Sequence, residues 1–203
     1  MTRRAFILGG AGLVFTHVIL GDLGVARSDS AVDRLSLPES IEFNGESYRL
    51  SWSSHPKPDY YKQEYLPSGQ TSERFQRMVL IEAIVRGVDI NDAVAAKVSM
   101  LNKRKSTDPT VNFAVVKNPK ITRSFLISFS MQRIPRETTS SNGMPIAMRL
   151  KGKGGASGVL LFGISRRGYG DDATDFLRRL KLARPAEVNA LAAYPLPVVR
   201  PVE

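Results

Sequence analysis

A chain of 203 residues, 42% hydrophobic and 24% charged, has enough apolar material for one packed domain and is neither disordered, collagenous nor coiled-coil in composition. It has no Cys and two His, which excludes disulfide scaffolds, thiolate zinc sites, iron-sulfur clusters and cysteine nucleophiles, and leads us to expect no metal and no cofactor. The net charge of +10 is unevenly divided, with −2 on residues 27–100 and +11 on residues 101–203.

At the N-terminus, Arg3 and Arg4 precede an apolar run from Ala5 to Leu20 that Asp22 closes. The run falls short of the ~20 residues a helix needs to cross a bilayer, so it reads as a signal peptide over 1–26, with Gly24 and Ala26 as the small residues at the cleavage site and Ser28–Ser30 as a second choice. Thr2-Arg3-Arg4-Ala5-Phe6-Ile7 is similar to the twin-arginine motif, with Leu8 where that motif has Lys; a Sec signal looks much the same, and both routes stay open. The mature chain is then expected to be soluble, periplasmic or secreted, without a transmembrane anchor after cleavage.

From residue 27 to 194 we expect a single α+β domain. Tyr48-Arg49-Leu50-Ser51-Trp52-Ser53 alternates apolar and polar residues, the period of a half-buried strand, and Pro56 and Pro58 should end it. Tyr60 to Leu66 is a second strand, closed by Pro67-Ser68-Gly69. Thr71 or Ser72 with Glu73 opens a helical turn through Gln76. Met78 to Val85, rich in β-branched residues, is read as a buried strand. Asn91 is the expected N-cap of a helix with Val94, Val98 and Leu101 on one stripe, and Lys103-Arg104-Lys105 suit its C-terminal end.

Four strands should follow: Val111 to Val116, Ser124 to Gln132 with Phe125, Ile127, Phe129 and Met131 on one face, Pro145 to Lys151, and Val159 to Ser165. Ser140–Gly143 and Gly152–Gly155 have hairpin-loop composition, so neighbouring strands should pair antiparallel. Asp171 caps a helix with Phe176, Leu177 and Leu180 as its apolar stripe, Pro185 starts a shorter one, and residues 195–203 form an extended Pro-rich tail. The sum is an antiparallel sheet of about six to seven strands flanked by helices.

For chemistry, His55 is the sole histidine of the mature chain, so any imidazole mechanism must use it; its plain reading is an exposed loop residue beside Pro56. Glu64 and Glu82 interrupt strand-like apolar stretches and are candidates for paired catalytic carboxylates, against the alternative of structural salt bridges. Gly163-Ile164-Ser165-Arg166-Arg167-Gly168 misses the spacing of a nucleophile elbow. Gly152–Gly158 lacks the Lys-Ser/Thr of a phosphate loop. Arg166 and Arg167 before a helix N-terminus, with Lys151 and Lys153, are candidates for anion binding, although Asp171 and Asp172 already offer negative charge there. On hairpin partners the two basic pairs should sit at opposite ends of the sheet, leaving a diffuse field and not one pocket.

The uneven charge fits an anionic envelope surface or an envelope protein as partner, and export argues against nucleic acid. With no nucleophile or metal motif, we expect a non-catalytic envelope binding or assembly module, with a periplasmic carboxylate hydrolase as the alternative. Glu64 to Phe75, followed by Met78, resembles a motif of uncharacterised exported proteobacterial proteins in which Glu-Tyr-x-Pro-x-Gly precedes an aromatic residue and an apolar strand; Phe75 stands where those proteins often carry Trp. Val159 to Gly170 also resembles that group. The resemblance implies no activity. The order of elements is similar to Mog1/PsbP-like domains, which implies an antiparallel sheet flanked by helices that mostly binds partners.

Overall fold

The computed structural model describes residues 31–117, 124–130, 141–142, 146–152, 158–169 and 173–202. The expected signal peptide, Met131, Asp171 and Lys153 lie outside these residues. In chain order the elements are β1 (Ser40–Phe43), β2 (Glu46–Lys57), β3 (Tyr60–Leu66), β4 (Arg77–Ile84), α1 (Ile90–Lys105), β5 (Asn112–Lys117), β6 (Ser124–Ser130), β7 (Ser141–Asn142), β8 (Ile146–Gly152), β9 (Val159–Arg166), β10 (Gly168–Tyr169) and α2 (Ala173–Ala193).

Eight strands form one sheet in the order β1-β2-β3-β4-β9-β8-β6-β5, antiparallel at every step. The fold is α+β, as the strand series implied. Strand alternation sorts the side chains onto two faces. One face joins Leu80, Val159, Leu161, Ile127 and Phe129 to Ile90, Ala93 and Leu101 of α1. The other joins Tyr61, Tyr65, Val79, Ile81, Phe162 and Ile164 to Leu35, Phe43 and, on α2, Leu191. The sheet is therefore the middle layer between the two helices. Among the described residues, no helix is long and apolar enough to cross a membrane.

Several local expectations are corrected. The N-cap of α1 is Asp89, whose Oδ1 accepts the Asn91 N–H at 2.8 Å, so the helix starts before Asn91. Its buried stripe is Ile90, Ala93, Lys97 and Leu101, with Val94 only partly buried beside it. Thr71–Gln76 is not helical: Thr71 and Arg74 exchange backbone hydrogen bonds across a turn, and Gln70 Oε1 accepts the Gln76 N–H at 2.7 Å. β2 runs through Pro56 because a register shift between Ser54 and Lys57 spares the ladder the N–H that proline lacks.

Pro185 lies inside α2 and does not begin a new helix. Leu180 and Leu191, three turns apart on one stripe, are both buried, which holds the helix together across the hydrogen bond the proline removes. Ser141 and Asn142, expected within a hairpin loop, pair instead with Tyr169 and Gly168. β1 was not foreseen; it joins β2 through Asn44-Gly45, whose φ values of 53° and 79° make the tight turn that only such residues adopt freely. The tail is extended but belongs to the fold. The Arg200 N–H donates to Leu35 O at 2.8 Å, the Val202 N–H donates to Arg34 O at 3.0 Å, and Leu196 and Val199 pack against the core.

Candidate functional site

Register places the two candidate carboxylates together. Lys62 stands opposite Glu82 and Glu64 opposite Leu80 across β3 and β4, so Glu64 and Glu82 are diagonal neighbours on the face that α1 covers. Lys62 Nζ pairs with Glu64 Oε1 at 3.1 Å and lies 5.4 Å from the centre of the Trp52 ring. From α1 comes Lys97, buried on the apolar stripe, with Glu82 among the charges acting on it.

The electrostatics follow from burial. Glu82 and Lys97 are 3% and 2% exposed, and each has a buried polar atom, Oε1 and Nζ, without a hydrogen-bond partner. Desolvation raises the Glu82 carboxyl above its usual range, while Lys62, Lys97 and the Tyr60 hydroxyl pull it back. Burial lowers the Lys97 ammonium to about 8, against the opposing pull of Glu82. Burial and then the Glu82 charge push the Tyr60 hydroxyl up.

Two carboxyl groups in unlike surroundings, one dry and one ion-paired, are the raw material of acid-base chemistry. Yet Glu82 lies under α1, and a substrate would have to displace the helix to reach it. His55 does not join them: it is exposed and stacks on Tyr61 at 4.1 Å, and Tyr61 belongs to the opposite face. Lys97 was missed by sequence reasoning. The available signal was a lysine seven residues from Ile90 and four from Leu101, on the stripe that the apolar residues define.

The basic candidates separate. Lys151 pairs with Leu160 near the start of β9, while Arg166 ends that strand, roughly 20 Å away at ~3.3 Å per residue. The Arg166 guanidinium pairs with Glu187 of α2, and the Arg167 guanidinium lies 3.9 Å from the centre of the Phe75 ring, so both contribute to packing. The outward face of α2 instead presents Arg178, Arg179 and Lys181, all exposed, together with Leu177 and Leu182, which are 42% and 78% exposed. Asp175 is also on this surface, paired with Arg178 at 3.0 Å.

In comparison with known proteins, residues 35–196 match the model of one family, which is uncharacterised. No curated protein and no solved structure matches the chain.

Proposed function

The chain belongs to that uncharacterised family, and from this premise we propose that it is an exported, non-catalytic cell-envelope module that attaches to an anionic surface through its basic half. The observation that carries the reading is the outward face of α2, where, among the described residues, three exposed cations meet a single acidic neighbour. The Arg-led apolar run at the N-terminus and the resemblance of Glu64–Phe75 to exported proteobacterial proteins support export. Mog1/PsbP-like domains, similar in element order, offer an analogy for a module that binds partners.

Fractionation of the native host tests the proposal. The mature protein is expected in the envelope fraction, with an N-terminus near Arg27, and released by high salt because exposed charges are screened over a Debye length of ~8 Å at physiological ionic strength. An intact Met1 terminus embedded in membrane, or attachment indifferent to salt, overturns it.

A second reading, hydrolysis by carboxylates, is favoured by one observation, the diagonal adjacency of Glu64 and Glu82. Turnover of an envelope glycan that Glu64→Gln or Glu82→Gln abolishes, with folding intact, would establish it over the binding role.

A further inference from the structure

The binding reading leaves open which anionic surface α2 meets, a polysaccharide or a lipid bilayer, and the helix face itself distinguishes them. Helical spacing puts Leu177 four residues from Lys181, Arg178 four from Leu182, and Arg179 three from Leu182, so cations and leucines share one patch of about two turns. Leu182 is 78% exposed and Leu177 42%; the other exposed large hydrophobics among the described residues, Val32, Val115, Val116, Val198 and Val202, are on other segments, so α2 is where exposed apolar side chains stand among exposed cations on one helix. A polysaccharide chain satisfies arginine and lysine and gives no return for an exposed leucine. A bilayer rewards both, since leucine side chains enter the boundary between headgroups and acyl chains while the long cationic side chains reach back to anionic headgroups.

We infer that the outward face of α2, built from Leu177, Arg178, Arg179, Lys181 and Leu182, is a peripheral docking surface for an anionic lipid bilayer. The inference rests on the anionic-surface reading and narrows it. Internal bonding agrees with this orientation: the inner side of α2 is held to the sheet by Glu187 to Arg166, by Arg184 Nε donating to Ser128 Oγ at 2.8 Å, and by buried Leu180 and Leu191. The helix is fixed by that side, and the other side is left for a surface. Glu187 faces inward, which leaves Asp175 as the acidic residue of the patch among the described residues.

The experiment is flotation of the mature chain with vesicles of equal parts phosphatidylglycerol and phosphatidylcholine, with pure phosphatidylcholine vesicles and soluble alginate in parallel. Binding to the mixed vesicles and not to phosphatidylcholine is expected. Each cation near an anionic leaflet contributes about fivefold, so Arg178→Gln/Arg179→Gln/Lys181→Gln should weaken vesicle binding about a hundredfold. Leu177→Gln/Leu182→Gln, which keeps every charge, should weaken it about tenfold or more while leaving alginate binding and the melting temperature unchanged. Alginate binding without flotation overturns the bilayer assignment and leaves the anionic-surface reading standing. Binding to neither overturns both. Flotation that the leucine double variant does not reduce overturns the role of the leucines and with it the choice of bilayer over polysaccharide.

Discussion

Lys97 of α1 and Glu82 of β4 bury opposite charges in the same interior layer, with 2% and 3% of their surfaces exposed. Removing Glu82 leaves the Lys97 ammonium in the interior beside Lys62 without the opposite charge that acts on it, a loss of about 3–5 kcal/mol for a stranded buried charge, whereas removing Lys97 leaves Glu82 still facing Lys62. Glu82→Gln should destabilise by roughly that amount in urea titrations and Lys97→Met by clearly less. The double variant should cost clearly less than the sum, since neither charge is then stranded. Strict additivity would mean that the two groups do not compensate each other.

The same pair gives the stability a signed dependence on pH. Lys97 titrates at about 8 in the folded chain against 10.5 ordinarily, so between those values the unfolded chain binds the proton and the folded chain does not. Its contribution is therefore gained as pH rises from about 8 toward 10.5, and lost as pH falls back through about 8. Tyr48, Tyr60 and Tyr65, all raised above 10.0 by burial, oppose this at the alkaline end, because the unfolded chain ionises first. The difference in unfolding free energy between the unaltered chain and Lys97→Met removes their share, and it should move in favour of the unaltered chain across this range. A flat difference would mean that Lys97 is not held below its ordinary value.

Two glycines should respond differently to alanine. A Cβ on Gly168 would lie 2.5 Å from Phe176 Cγ and 2.8 Å from Phe176 Cβ, so β10 and α2 would have to separate. Gly168→Ala should cost about 1–3 kcal/mol as an overpacked contact. Gly45 has open space around a Cβ but a φ of +79°, so Gly45→Ala should cost about 1 kcal/mol from backbone strain alone. Thermal melts of the two variants rank them.

Ending the chain after Tyr194 removes the backbone bonds from Arg200 and Val202 to Leu35 and Arg34, along with the packing of Leu196 and Val199. A loss of about 2–4 kcal/mol is expected from two net hydrogen bonds and two partly buried aliphatic side chains. Amide exchange should accelerate first around Leu35 and Leu37. Unchanged protection there would show that the tail does not hold this segment.

Much of the sheet was legible because its strands carry strong local signals: the alternation of Tyr48 to Ser53, the β-branched run in Met78 to Val85, and the aromatics of Phe125 to Phe129. The Asn44-Gly45 turn was an equally strong signal that would have revealed β1, but the strand before it is only four residues long, too few for a period to emerge. Pro185 misled because a local rule ends a helix at proline, whereas packing of Leu180 and Leu191 on the sheet overrides it. In the candidate site, Glu64 and Glu82 were visible as interruptions of apolar stretches. Their adjacency depends on register, and the burial of Lys97 depends on which stripe of α1 meets the sheet, neither of which a single segment specifies.

The strand order has a kinetic consequence. β1 to β4 can assemble as successive hairpins, and so, with one longer connection, can β5, β6, β8 and β9; within the sheet the two groups meet along the β4–β9 ladder, which runs from Ile84 opposite Val159 to Arg77 opposite Arg166. That junction lies in the middle of the sheet and joins residues more than seventy positions apart, so among the strand pairings of this sheet its closure carries the largest loop entropy. Until β9 arrives, β4 presents a bare hydrogen-bonding edge flanked by Val79, Leu80 and Ile81. The window between synthesis of the first half and arrival of β9 is thus the interval in which the nascent chain is most exposed to mispairing.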